Sequence, residues 1–169
     1  MKKILSIIEI IFAVAYIHWD KVLFLGVVAF DQFTKALVVK SMIPGESIPI
    51  LQDIFHLTYV LNPGAAFGIL SNQRIFLLAT GAVLILATAY FYPLLKKSDG
   101  CLRLGATAIL SGAVANLIDR VQTGYVVDFF DFRIWPVFNV ADIAIVLGMG
   151  LMIYSILFRL DAGKVEAER

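Results

Sequence analysis

Two aspartates, Asp128 and Asp142, stand fourteen residues apart in a chain whose long stretches are otherwise apolar. An ionised carboxylate is costly to hold near hydrocarbon, so an acid at the end of an apolar span is a functional candidate before anything else is known. The loop joining these two is short enough to bring them together beneath a covering strand or flap. Two neighbouring acids can share one proton. Repulsion drives their proton affinities apart, so one acts as a base toward water and the other, protonated, as an acid toward a scissile carbonyl and then the departing amine. That is peptide hydrolysis without a metal or a covalent nucleophile. It requires partial shielding from water, with cations or amides to balance the second carboxylate. Asp142 also has a plain structural role open to it, as the third residue of a helix capped by Asn139. Asp131 lies three positions beyond Asp128, and one of that pair suffices for catalysis.

Three further polar groups interrupt the apolar background. Asp31, Gln32 and Lys35 fall about halfway along one span, and the spacing of four puts Asp31 and Lys35 on one helical face with the acid first. They can neutralise each other, as an intrahelical pair or as part of a site. Asn116, Asp119 and Arg120 occupy i, i+3 and i+4, so their heads can converge at a helix end. Arg120 offers five donors in a rigid fork, and its bland alternative is a snorkelling arginine paired with Asp119. The run Asn62-Pro-Gly-Ala-Ala-Phe-Gly combines an amide, a rigid turn and small residues, suited either to close approach of a ligand or to helix packing.

Other catalytic schemes lack their residues. There is no His-Glu-x-x-His or Gly-x-Ser-x-Gly motif, and no serine stands convincingly beside a lysine on the outer face. Cys101 is the single cysteine, and with His18 and His56 at unrelated spacings it forms no zinc signature. No metal or cofactor is expected. The net charge of +1 suggests no nucleic-acid partner.

The elements that must position these residues are those of a membrane protein. Of 169 residues, 60% are hydrophobic and 16% charged, with a mean hydropathy of +0.88. An ordinary soluble domain carries about 25% charge. Four transmembrane helices are expected, over Val22–Val39, Ile75–Leu95, Leu102–Leu117 and Val137–Phe158. The third is short, so its helix should tilt or continue past its apolar part. Lys96, Lys97 and Arg103 on one connection, with Arg159, Lys164 and Arg169 in the tail, place both termini in the cytoplasm and the two long connections outside. Within the leader of residues 1–21, the first seventeen imitate a secretory signal, but Glu9 in the apolar run argues against cleavage and favours an interfacial or juxtamembrane helix, with an added short span as the alternative. Residues 159–169 read as a cytoplasmic tail of one integral-membrane domain covering 1–169. Ser47–Leu51 and His56–Leu61, with turn signals at Pro44-Gly45 and Asn62-Pro63-Gly64, predict a small extracytoplasmic β-sheet on the membrane surface.

Five blocks together resemble the lipoprotein signal peptidases, the signal peptidase II family of membrane aspartyl proteases. They are Asp31-Gln-Phe-Thr-Lys, Asn62-Pro-Gly-Ala-Ala-Phe-Gly, Gly112-Ala-Val-Ala-Asn-Leu-Ile-Asp-Arg, Val126-Val-Asp-Phe-Phe-Asp-Phe and Phe138-Asn-Val-Ala-Asp. The resemblance implies a catalytic dyad of Asp128 and Asp142, surrounded by Asp31, Lys35, Asn62, Asn116, Asp119, Arg120 and Asn139. It implies four spans in the bacterial inner membrane with the site at the extracytoplasmic face. The implied substrate is a prolipoprotein carrying diacylglyceryl-cysteine, cleaved just before that cysteine, and globomycin-type cyclic peptides are implied as inhibitors. Gly64 and its small neighbours would let an extended peptide approach, while membrane lipid fills the helix gaps. A proton-coupled transporter or channel, with Asp31, Lys35, Asp119 and Arg120 as a relay, is the competing expectation and requires charges spread through the bilayer depth. A non-enzymatic membrane assembly factor is a third.

Overall fold

A computed structural model describes residues 18–64, 73–97 and 99–158. The expected leader, residues 65–72 of the small-residue run, and the tail from 159 lie outside the described residues. Four helices and three strands follow in order: α1 (Trp19–Ser41), β1 (Ser47–Leu51), β2 (Phe55–Asn62), α2 (Arg74–Lys97), α3 (Gly100–Gln122), β3 (Val126–Asp131) and α4 (Val140–Phe158). Among the described residues, helices α1, α3 and α4 are long and apolar enough to cross a bilayer, and α2 is apolar over Arg74–Thr88. The third helix runs five residues beyond its expected apolar part, to Gln122, and so reaches about 35 Å. The fourth begins at Val140 instead of Val137, because Asn139 caps it.

The helices are inverted relative to a soluble bundle. Large apolar side chains such as Leu25, Phe33, Val83, Leu86, Val146 and Leu147 point outward. The buried set includes Asp31, Lys35, Ser111, Asn116, Asp119, Asn139 and Ser155. Such an outer surface suits hydrocarbon, and the polar groups meet inside because lipid offers them no partners.

Packing of α3 on α4 depends on small residues. Gly105, Ala108, Gly112, Ala115 and Asp119 form one buried face at helical spacing. A Cβ on Gly105 would lie 2.6 Å from the Gly148 carbonyl oxygen, and one on Gly112 would run into the Ala141 carbonyl. The two backbones therefore touch, which brings the polar ends of both helices together. At their other end Asp99 caps α3 through Cys101 N and Leu102 N and also accepts a hydrogen bond from Ser155 Oγ at 2.9 Å. Arg74 donates to the carbonyls of Arg120 and Val121, at 3.1 and 3.0 Å, covering the open C-terminus of α3.

The expected sheet is present, with antiparallel strands in the order β1-β2-β3. Val60 lies opposite Asp128 and Asn62 opposite Val126, after a register shift between Leu57 and Val60. Phe138 bridges the other edge of β3 through Phe130. Val38 of α1 and Met42, which follows its last turn, pack under Tyr59, Val127 and Phe129. Because side chains alternate along a strand, Asp128 points away from the face that carries Val127 and Phe129.

Candidate active site

The site is built where the last turns of α3, the first turn of α4 and β3 converge. Asp128 and Asp142 line one cavity of about 740 Å³, together with Asn62, Asn116 and Arg120. Three asparagines hold the two acids. Asn139 Nδ2 donates to Asp128 Oδ1 at 2.7 Å, while its backbone N–H donates to Asp142 Oδ2 at 3.2 Å. Asn62 Nδ2 donates to Asp128 Oδ2 at 2.9 Å, and Asn116 Nδ2 to Asp142 Oδ1 at 2.9 Å. Each carboxylate oxygen thus receives an N–H, which fixes both groups against rotation.

The capping role expected of Asp142 coexists with this placement. Asn139 Oδ1 accepts from Asp142 N at 3.0 Å, so residue pair 139 and 142 forms a reciprocal capping box. One oxygen of Asp142 closes the helix end, and the other faces Asn116. Asp131 is placed elsewhere. Its carboxylate accepts from Thr58 Oγ1 at 2.7 Å and from Arg133 N and Nη1 at 2.8 and 3.0 Å. Burial pushes the Asp131 carboxyl up, but these hydrogen bonds and the Arg133 charge outweigh it and hold the group below the usual carboxylate range.

Asp128 is 2% exposed. Burial pushes its carboxyl up to about 7, and the negative charge of Asp142 adds to the effect; Asn62, Asn139 and Lys35 oppose it only in part. A carboxyl in that range can hold a proton at neutral pH.

Beneath the acids lies an ionic layer. Lys35 Nζ pairs with Asp31 Oδ2 at 2.7 Å and Asp119 Oδ2 at 2.8 Å, and donates to Asn116 Oδ1 at 2.8 Å. That third bond, with a second from Asn139 Nδ2 at 3.1 Å, identifies the Asn116 oxygen and turns its amide nitrogen toward Asp142. Asp31 Oδ1 accepts from Ala141 N at 2.8 Å, so α1 caps an open amide of α4 across 110 residues. Asp119 also accepts from Gln32 Nε2 at 2.7 Å and from Val127 N at 3.3 Å.

All ten candidate residues are thereby brought together, with one change of partner. Arg120 does not pair with Asp119, whose oxygens are taken by Lys35, Gln32 and Val127. Instead Arg120 Nη2 donates to Gly64 O at 2.7 Å and ties the loop after β2 to the helix end. Gly64 N in turn donates to Asn62 Oδ1 at 2.9 Å, holding the Asn62 amide toward Asp128. Gln32, which stood out with Asp31 and Lys35 as a polar group within its span, joins the site through Asp119. The apolar half of the cavity, including Leu84, Trp135, Val146 and Met149, was not foreseen. In sequence those residues look like any lipid-facing residue. Among the described residues no group of three His, Cys, Asp or Glu side chains is arranged as metal ligands.

The charges also meet at one level. Between Lys21 and Asp31, Arg103 and Asp119, and Asp142 and Phe158, the described helices carry no charged residue. A relay through the bilayer requires such residues, and nothing found supports the transporter expectation.

Comparisons with known proteins point the same way. The family described as signal peptidase (SPase) II matches residues 23–158. A lipoprotein signal peptidase of Halothermothrix orenii is 49% identical over 128 residues, covering 75% of this chain and 87% of the relative. One from Moorella thermoacetica is 48% identical over 144 residues, covering 84% and 93%. A solved structure described as a bacterial membrane enzyme, obtained by the in meso method at 2.3 Å resolution, superposes with a TM-score of 0.77 at 33% identity, covering 84% of this chain and 89% of that one. With its paired acids and apolar helices, the chain belongs to the signal peptidase II family of membrane proteases.

Proposed function

We propose that Asp128 and Asp142 are the catalytic dyad of an aspartyl endopeptidase that removes signal peptides from prolipoproteins, cutting immediately before a diacylglyceryl-modified cysteine. The observation that carries this reading is the pair of acids on one cavity, linked by Asn139 and each held at both oxygens by N–H donors. Asp128 is the proton holder, since burial favours its neutral form. Asp142 then takes a proton from the water that attacks the scissile carbonyl carbon, while Asp128 gives its proton to the carbonyl oxygen. Collapse of the tetrahedral diol breaks the C–N bond: the proton gained by Asp142 goes to the departing amine, and one diol hydroxyl returns its proton to Asp128 as the new carboxyl group forms.

Asn62, Asn116 and Asn139 orient the acids, Lys35, itself held by Asp31 and Asp119, orients Asn116, and Arg120 sets Gly64 beside the peptide path. The apolar wall of Leu84, Val146 and Met149 suits the lipid attached to the substrate cysteine. A diacyl anchor contributes about 0.8 kcal/mol per buried methylene and holds the scissile bond at interface depth. Cyclic peptides of the globomycin type would occupy the same cavity.

In this reading α2 completes a set of four spans in the inner membrane, with the remaining gaps filled by membrane lipid. Both termini are cytoplasmic, and the sheet rests on the extracytoplasmic surface. The distribution of Lys and Arg supports that orientation.

The test is cleavage of a purified diacylglyceryl prolipoprotein. Asp128→Asn and Asp142→Asn are each expected to fold and to be inert; turnover retained by either variant refutes the dyad.

A further inference from the structure

Helices α1 and α2 both pack against α3, while contact between α1 and α2 themselves is marginal. At the Trp19 end of α1 the gap forms a second cavity of about 410 Å³, walled by Phe24, Leu25, Leu95, Ala106 and Leu110. Thr88 and Thr107 also line it, but their hydroxyls donate to the carbonyls of Leu84 and Arg103, each at 2.8 Å. The walls are therefore apolar in effect. Charge is confined to the rim, where Asp20, Lys21 and Arg103 stand.

Arg103 stacks there on Trp19, its guanidinium carbon 4.3 Å from the centre of the ring. Its Nε is buried and has no hydrogen-bond partner among the described residues. A buried, unmet guanidinium donor is costly, and an anionic oxygen would satisfy it. Lys21 is exposed beside it, and Asp20 Oδ1 accepts from Lys21 N at 3.0 Å. Arg103 precedes Asn116 by thirteen residues of one helix, so the cavity lies about 20 Å from the acids, toward the other leaflet.

We propose that this cavity binds one anionic phospholipid of the leaflet opposite the dyad, with an acyl chain between α1 and α2 and the headgroup phosphate on Arg103 and Lys21. Transfer of a chain from bilayer to groove is nearly neutral, because both are apolar. Selection therefore comes from the headgroup, and basic pockets between membrane helices select anionic lipids in this way. A choline headgroup carries a compensating positive charge and gains less.

Native mass spectrometry of the full chain, titrated with phosphatidylglycerol or phosphatidylcholine of identical chains, tests the site. One phosphatidylglycerol is expected to be retained, with a preference of about fivefold for each rim cation. Arg103→Gln should lower that preference by about fivefold. Ala106→Trp, which fills the groove, should remove the binding of both lipids. As a check that needs no groove variant, phosphatidylglycerol brominated on its chains should quench Trp19 fluorescence, read in a Trp135→Phe chain, more than brominated phosphatidylcholine does. Equal retention of the two lipids, retention unchanged in Ala106→Trp, no retained lipid, or displacement of phosphatidylglycerol by a diacylglyceryl prolipoprotein would each overturn the assignment.

Discussion

Replacing Lys35 by Met tests whether the ionic layer supports the acids above it. Lys35 is 3% exposed and makes three short contacts: Asp31 at 2.7 Å, Asp119 at 2.8 Å and Asn116 at 2.8 Å. At an effective dielectric constant of about 20, each ion pair is worth roughly 6 kcal/mol of Coulomb energy before desolvation is subtracted. The variant retains the desolvation cost of both carboxylates and loses what offset it. Removing one member of a buried pair typically costs about 3 to 5 kcal/mol, and the two acids here put Lys35→Met at the upper end. The complementary variant, Asp31→Asn, Lys35→Met and Asp119→Asn together, removes the uncompensated charge while keeping the acceptor oxygens for Ala141 N and Val127 N. It should regain stability to within about 2 kcal/mol of the parent. Unfolding in detergent can be followed by the reactivity of Cys101, the single thiol of the chain, and free energies obtained by titration with a denaturing detergent. A Lys35→Met chain within about 1 kcal/mol of the parent, or a triple variant no better than the single one, would refute the reasoning.

Turnover should fall as pH rises through about 7, because the reaction needs a proton that Asp128 then loses. The limb belongs to the coupled pair, and a profile flat to high pH would contradict the proton assignment. The same group contributes to stability in the opposite sense from a salt-bridged acid. Its contribution is full below 3.8 and lost as pH rises through about 7, since the folded chain binds the proton more tightly. Asn139→Ala removes a cap worth about 1 kcal/mol and the amide donor to Asp128 Oδ1, leaving that carboxyl held by Asn62 alone, so a modest drop in melting temperature should accompany a much larger drop in kcat. Gly112→Val should separate α3 from α4 and destabilise by about 1 to 3 kcal/mol or more, whereas Gly26→Ala, with open space around it, should be neutral or slightly stabilising; comparing their melting curves checks the close contact.

Much of this protein was legible in its residues because the relevant penalties are local. A charge inside an apolar stretch is costly wherever it sits, so Asp31, Lys35, Asp119, Arg120, Asp128 and Asp142 stood out from their neighbours alone. Helical spacing joined Asp31 to Lys35, β-branched runs with turn residues marked β1 and β2, and Asn139 three places before Asp142 announced the capping box. Membership of the signal peptidase II family was already visible in five short blocks.

Partners distant in sequence were decided by tertiary structure. Spacing suggested Asp119 for Arg120, but contact between helices gives Asp119 to Lys35 and Gln32 and sends Arg120 to Gly64. Nothing in the order of residues says that Asp31 caps α4, or that Asn116 turns its amide nitrogen to Asp142 because Lys35 and Asn139 occupy its oxygen. The proton on Asp128 likewise follows from how deeply β3 is covered. Sequence determined which groups are too costly to leave alone in lipid. The backbone contact of Gly105 and Gly112 with α4 decided which of them could reach one another, since a hydrogen bond forms only over about 3 Å.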